Sequence, residues 1–412
     1  MPSTDVVIIG GGLVGLAIAK ALSEQYPSCT LAVLEKEPQV GAHQSRHNSG
    51  VIHSGLYYRP GSVKAKTCVA GAALMKRFCL EHAIRYEECG KLVVATHEAE
   101  RPRLQALHAR GLANGVAGIA LVGPERLREL EPHARGIQAL HVPGAAVVDY
   151  AQVSRALAEL LQRRGAQVRT STRVTQLRRQ GGAWDIETTA GPLRAAQVIT
   201  CGGLHADRLV RMAHGPADVR IAPFRGEYFE VVPARRSLVR SMIYPVPDPA
   251  LPFLGVHFTR TIAGHVHAGP NAVLAMKREG YRKRDVSWQD TAELLGFPGF
   301  WRMARRYWTV GVAEWHRSLS KGAFVRALQR LVPAVRAEDL VPAESGVRAQ
   351  ALGRDGSLLD DFDIQQGEAA IYVRNVPSPA ATASLAIGQT IAGMAAASWH
   401  LPATPSGAHK IA

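Results

Sequence analysis

Asp5-Val6-Val7-Ile8-Ile9-Gly10-Gly11-Gly12-Leu13-Val14-Gly15 is the stretch that decides the fold. Its first five residues, four of them β-branched, read as a buried strand. Gly10, Gly12 and Gly15 then follow in the G-x-G-x-x-G spacing, and residues 13–23 read as a helix. Gly10 permits the tight turn. Gly12 lets the backbone approach a pyrophosphate, and Gly15 lets helix and strand pack closely. The anion sits at the positive end of the helix, beside Leu13 and Val14. Residues 30–35 read as a second buried strand closing on Glu35, twenty residues after Gly15, where a carboxylate can accept hydrogen bonds from ribose hydroxyls. A glycine motif alone is weak. With both strands, the helix and the acid in place it reads as a Rossmann-like nucleotide-binding unit.

Working outward, residues 150–164 read as a helix, 167–170 as a strand, and 173–180 with 184–189 as a hairpin around Gly181-Gly182. Residues 195–200 form a buried strand running into Cys201-Gly202-Gly203, with a helix over about 204–212. Between these lies a different layer, with a strand at 91–96, a charged helix at 98–114 and a short helix from Gly123-Pro124. Residues 221–270 change character again, with short strands such as 227–232 and 264–268 between prolines, followed by helices between 287 and 331. From about 345 the pattern returns to strand, turn and helix. The expected architecture is α/β with α+β: a discontinuous nucleotide domain (1–90, 145–215, 345–400), an antiparallel-sheet substrate domain threaded through it (91–144, 216–344), and a tail (401–412).

The 412 residues, 47% hydrophobic and 20% charged, supply ample core for two such domains. The formal charge of +15 favours anionic partners. The basic residues are scattered and no RNA-binding aromatic signature is present, which argues against nucleic acid. Five cysteines without a C-x-x-C pair suggest neither a disulfide framework nor a thiolate metal cluster, so a reducing cytoplasm is expected and no metal site. No run of 18 apolar residues occurs, and the Ala-rich stretch 384–398 reads as a buried helix.

After Glu35 and Lys36 the chain runs into a loop of small and polar residues from Gly41 to Gly55. Such a loop suits contacts to phosphates and a flavin ring, whereas a simple NAD dehydrogenase would more often continue its sheet. The segment Ser45-Arg46-His47-Asn48-Ser49-Gly50-Val51-Ile52-His53-Ser54-Gly55-Leu56-Tyr57-Tyr58 strongly resembles the L-2-hydroxyglutarate dehydrogenase/oxidase family, a branch of the D-amino-acid-oxidase-like flavoproteins. Pro223 to Tyr228, His257 to Arg260, Gly269 to Ala272, Ser345 to Arg348 and Pro377 to Thr382 extend the resemblance over almost the whole chain.

That resemblance implies oxidation of L-2-hydroxyglutarate to 2-oxoglutarate with FAD as hydride acceptor, the electrons passing to a membrane quinone or to oxygen. It places Ser45, Asn48, Ser49, Gly50 and Val51 beside the cofactor, Val174 by the adenine, and Cys201 and Gly202 beneath the ring. It also aims Pro379, Ala380, Ala381 and Thr382 at the flavin edge. The plain alternative for that last segment is an ordinary helix start. Arg348 is implied as the ligand of the substrate α-carboxylate, where a bidentate guanidinium is preferred to an ammonium.

The residues themselves leave other roles open. Arg225 and Arg260 are candidates for the distal carboxylate, with Lys277 weaker, and each has a surface salt bridge as its plain alternative. Tyr228 and Tyr281 are candidates to line the pocket. The hydroxyl proton needs a base near neutral pH, and His257 and His53 both stand as candidates against the alternative of satisfied core histidines. Competing readings keep the fold but change the substrate to an amine, an amino acid or glycerol 3-phosphate, or keep the flavin without catalysis. The basic surface is compatible with a cytoplasmic protein held peripherally on the inner face of the cytoplasmic membrane.

Overall fold

A computed structural model of the chain describes residues 3–215, 217–248, 254–399 and 401, so the tail beyond Leu401 lies outside the described residues. The opening apolar run forms the strand Ser3–Ile9, with Val6, Val7, Ile8 and Ile9 at most 5% exposed. A strand buried on both faces needs neighbours on both edges and cover on both sides. Its parallel partners are Leu193–Thr200 on one edge and Leu31–Leu34 on the other. Ala370–Asn375 lies beyond the first and Gln167–Arg169 beyond the second, both also parallel. The expected hairpin forms from Val174–Gln180 and Ala183–Thr188, paired antiparallel.

The two-residue alternation of a strand decides what covers each face. Val6, Ile8 and Val33 point to a layer built from the helices Leu13–Gln25, Val63–Glu81, Tyr150–Arg163 and Ala380–Ser398. Val7, Ile9, Ala32 and Leu34 point to the hairpin and to the helix Ala206–Met212. The last helix, Ala380–Ser398, is long and apolar enough to cross a membrane by length and composition, yet it is a core element. It crosses Leu13–Gln25 so closely that a Cβ on Gly388 would lie 2.5 Å from the Ala17 carbonyl oxygen.

The second eight-stranded sheet is mainly antiparallel. Its order is Leu340–Pro342, Phe229–Val231, Val266–Gly269, His257–Arg260, Met242–Pro245, Lys91–Ala95, Gln138–Val142 and Ala120–Val122. A smaller sheet pairs Val219–Gly226 with Gly346–Gly353, setting Phe224 opposite Arg348. The strand expected at 227–232 is found as the shorter Phe229–Val231. Residues up to Gly226 belong to the small sheet and Phe229–Val231 to the large one, with Glu227 and Tyr228 at the crossing between them. The helices expected between 287 and 331 are Trp288–Leu295, Pro298–Leu319, with a kink at Tyr307, and Lys321–Gln329.

Register fixes which side chains share a face of the large sheet. Ile243 pairs with Leu92 in the parallel neighbour and with Phe258 in the antiparallel one. These three residues pack together in an apolar core beneath the sheet. By alternation Lys91, Tyr244 and His257 share the opposite face, across three adjacent strands. Arg260, an odd number of residues from His257, is directed with Phe258 to the other side.

Candidate active site

The glycine turn forms one wall of a cavity of about 480 Å³. Gly10 has φ +120°, a conformation that side chains rarely adopt. A Cβ on Gly15 would stand 2.0 Å from the Gly10 carbonyl oxygen, so the helix sits against the turn only because that atom is missing. Gly10, Gly12, Leu13, Val14 and Gly15 all line the cavity. The Leu13 N–H at the start of the helix donates to the Ser45 hydroxyl at 3.0 Å, which ties the polar loop to the helix end.

Glu35 lines the same cavity and is buried. One carboxylate oxygen accepts the Gly11 N–H and the other the Glu37 N–H, both at 2.9 Å, which fixes the acid at the strand end while leaving lone pairs for further donors. Lys36 also lines the cavity, with its ammonium paired to Glu279 at 2.6 Å and to Glu37. Glu37, His43 and Glu279 come close enough to share a cation, and the Lys36 ammonium already occupies that role. His205 adds a further contact to Glu279 at 2.9 Å, and against burial, which raises it, these hydrogen bonds and the Lys36 ammonium hold the Glu279 carboxyl well below its ordinary range.

Val174, Cys201 and Gly202 also line the cavity, Cys201 packed against the glycine turn. Burial pushes the Cys201 thiol far up, so it stays neutral. Asn48 is structural in its contacts: its amide donates to the Gln44 and Ser45 carbonyls, and its oxygen accepts the Gly50 N–H at 2.8 Å. Ser49 lies inside that same turn. Ala380 and Ala381 bring the N-terminal turn of the last helix to the cavity, after Pro379 at its cap. The first N–H groups of a helix lack intrahelical acceptors and carry partial positive charge. The cavity thus presents two helix N-termini and a buried acid, which fits a dinucleotide whose phosphates and ring edge are anionic.

Thr382 links this cavity to a second cluster. Its hydroxyl accepts the His53 N–H at 3.0 Å and donates to the Val51 carbonyl at 3.2 Å. Burial, and then the nearby Lys91 ammonium, push the His53 imidazole down to about 3, with the His257 ring close by. His257 is lowered to about 3 as well, first by burial and then by Arg348 and Lys91. Both rings are therefore neutral at pH 7. The His257 Nδ1 lies 2.9 Å from the Gly255 carbonyl, an acceptor only. Nδ1 must therefore carry the proton, leaving Nε2 with a free lone pair. The ring packs on Tyr244 with centroids 3.8 Å apart.

Arg348 stands close enough to influence Tyr228, Tyr244 and His257, and the half-buried Tyr228 is held in its neutral form by burial. Arg225 and Arg260 are not brought into this group. Arg225 is buried, with Nε and Nη2 on Glu227 at 3.2 and 3.0 Å and Nη1 on the Arg282 carbonyl. Arg260 faces Glu87 at 3.7 Å. Tyr281 donates or accepts at His43 at 2.8 Å, on the nucleotide side. A buried cation that sequence reasoning did not single out is Lys91, 1% exposed on the same sheet face as His257. Within an apolar strand a single lysine carried no local signal.

The chain matches the family described as FAD dependent oxidoreductase over residues 5–394. An L-2-hydroxyglutarate dehydrogenase from Indibacter alkaliphilus is 48% identical over 388 residues, covering 94% of this chain and 97% of that one. The human mitochondrial L-2-hydroxyglutarate dehydrogenase is 44% identical over 407 residues, covering 95% and 88%. That of Escherichia coli K12 is 46% identical over 388 residues, covering 94% and 92%. Among solved structures, the L-α-glycerophosphate oxidase of Mycoplasma pneumoniae with FAD bound superposes with a TM-score of 0.79 at 24% identity, over 98% of this chain and 97% of that one. Glycine oxidase from Bacillus cereus gives 0.68 at 18%, over 97% and 96%. At such identities these two speak to the fold alone.

Proposed function

This chain belongs to the FAD dependent oxidoreductases and, within them, to the L-2-hydroxyglutarate dehydrogenase family, and we propose that the two clusters just described divide the work of that reaction. The enzyme oxidises L-2-hydroxyglutarate to 2-oxoglutarate. FAD, when bound, supplies the hydride acceptor. The glycine turn, Glu35, Ser45 and the two helix N-termini are the residues that would hold it.

The chain's own part at the reacting carbon is to orient the substrate and take a proton. Arg348 receives the α-carboxylate, with Tyr228 beside it. His257 Nε2 accepts the C2 hydroxyl proton, and the Gly255 carbonyl stabilises the imidazolium through Nδ1. The observation that carries this reading is the hydrogen bond from His257 Nδ1 to Gly255, because it leaves an unprotonated nitrogen in a water-poor pocket. An imidazole lowered to about 3 is by itself a weak base, and an arriving dicarboxylate raises it by its own negative charge. His53 is the alternative base. Anaerobic mixing with L- and D-2-hydroxyglutarate tests the reading: the flavin band should bleach with the L-enantiomer only, with 2-oxoglutarate formed. Reduction by an amino acid in preference to both would overturn it.

The electron acceptor in this reading is a membrane quinone, with oxygen as the alternative, and the protein docks peripherally on an anionic bilayer. The support is the helix Pro298–Leu319. Trp308, Val312, Trp315 and Leu319 recur at helical spacing along its second half, each more than half exposed. Exposed Arg302, Arg305 and Arg306 precede this stripe, and the Lys283 ammonium reaches the Ser318 carbonyl at its end. Aromatic residues beside a basic border fit a helix lying in the headgroup layer. Flotation of the holoenzyme with phosphatidylglycerol vesicles should succeed and should fail with Trp308→Glu/Trp315→Glu, turnover with a soluble dye being kept. No flotation, or a variant that only converts a dimer to monomers, overturns membrane docking.

A further inference from the structure

Lys91 has no explanation in packing. It is 1% exposed, and its ammonium makes no hydrogen bond. No carboxylate lies within ion-pair distance of it among the described residues. The Tyr57 and Tyr244 rings flank it, with the ammonium 4.8 and 5.1 Å from their centroids. Two further buried polar atoms nearby are also without partners, the Tyr57 hydroxyl and the His53 Nδ1. Buried polar groups in native proteins are hydrogen-bonded, so three unpartnered ones together, one of them the cation, mark a place prepared for a ligand. The ligand must be an anion with several acceptor atoms, since Lys91 offers only donors.

We infer that Lys91 holds the second carboxylate of the substrate and thereby selects a dicarboxylic 2-hydroxy acid over a monocarboxylic one. The inference rests on the reaction proposed above and adds the residue that reads the far end of the molecule. The sheet register places Lys91 and His257 on one face, two strands apart, with Tyr244 between them. His257 is influenced by both Arg348 and Lys91, whereas His53 is influenced by Lys91 and His257. The base therefore stands near two cations, as a substrate with a carboxylate at each end and its reacting carbon near one of them requires. Arg225 and Arg260 are engaged elsewhere, with Glu227 and Glu87.

The groups facing Lys91 are His53, His257, Tyr57, Tyr244 and Cys68. Burial pushes its ammonium down to about 8, and the neutral Cys68 thiol offsets this little. A bound carboxylate favours the charged form, so dicarboxylate affinity in the wild type should fall as pH rises through about 8. In Lys91→Arg that fall should vanish, because guanidinium does not titrate there.

The test uses the FAD-loaded enzyme and two substrates of equal length, L-2-hydroxyglutarate and L-2-hydroxypentanoate, which carries a methyl where the first has its second carboxylate. Lys91→Met should lose on the order of 10²–10³-fold in kcat/KM on the first, mostly in KM, and stay within a few-fold on the second. In parallel, glutarate and butyrate are titrated by calorimetry. The wild type should prefer glutarate and Lys91→Met should not. Equal loss on both substrates, or a loss confined to kcat, overturns the assignment and makes Lys91 part of the chemistry. If the wild type proves unreactive toward L-2-hydroxyglutarate, the substrate reading fails by itself. The glutarate preference then still decides for or against Lys91. Flavin absorbance and melting temperature report that the variant is folded.

Discussion

His53 and Thr382, 329 positions apart in the chain, are joined by a 3.0 Å hydrogen bond from the histidine N–H to the threonine hydroxyl. The same hydroxyl donates to Val51 and meets the Tyr150 hydroxyl at 3.1 Å. One buried oxygen thus sets the histidine loop against the first turn of the last helix. Thr382→Val keeps the shape and removes the hydroxyl. It leaves the His53 backbone N–H without a partner, while Tyr150 still donates to the Val51 carbonyl. The loss should cost about 2 kcal/mol and weaken FAD retention. Thr382→Ser should restore both. Thermal unfolding and the flavin-to-protein absorbance ratio of the purified variants check this.

The His257 assignment separates from its neighbours kinetically. His257→Asn should lower kcat by about 10²- to 10⁴-fold with FAD still bound, the range for a lost general base. His53→Asn should fall mainly in cofactor binding or KM. The reverse pattern in stopped-flow reduction would move the base to His53. The same two imidazoles set a pH limit on stability. Each is lowered from 6.5 to about 3, so the folded chain binds their protons less readily than the unfolded chain does. Stability is then complete above about pH 6.5 and declines as pH falls toward 3. The loss is about 2 kcal/mol per histidine at pH 5. His257→Asn should flatten that decline in denaturant melts between pH 7 and 5.

Arg225 gives a prediction of the opposite kind. Both it and Glu227 are buried, and Asn271 further holds Glu227 at 2.9 Å. Arg225→Ala leaves the buried carboxylate with Asn271 and the exposed Lys283 at 3.7 Å, and should cost about 3 kcal/mol. Arg225→Met with Glu227→Leu should recover most of that loss. If Arg225 instead met substrate, the single variant would raise KM steeply and leave the melting temperature unchanged.

These assignments mark where sequence was sufficient. The glycine turn and Glu35 were legible because the chemistry is local: a turn, a helix start and a strand end within one unit. Lys91 was not legible, because one lysine in Lys91–Ala95 acquires meaning only once three strands pair in register. For Arg225 a local signal for its ion pair existed. Glu227 two residues on is the spacing that sets two side chains on one face of a strand. The stripe Trp308, Val312, Trp315 and Leu319 is periodic in sequence, but the same period describes a helix facing a core. Only the fold shows that this face is uncovered. The crossing at Glu227 and Tyr228 was hidden by a continuous β-like run, which passes from one sheet to another without a change of composition.

A cation kept for a ligand should burden the protein without one. Lys91 is lowered from 10.5 to about 8, so the folded chain releases its proton more easily than the unfolded chain. The stability associated with this group is complete above about pH 10.5 and is lost as pH falls through about 8. At neutral pH the charged lysine therefore disfavours the folded state, by up to about 3 kcal/mol. Lys91→Met should melt higher than the wild type at pH 7 by up to that amount, with the difference shrinking as the pH is raised toward 10. Glutarate should stabilise the wild type and leave the variant unchanged, because a ligand adds stability only to the state it binds. A variant less stable than the wild type at pH 7 would mean that the ammonium already has a partner in the folded protein.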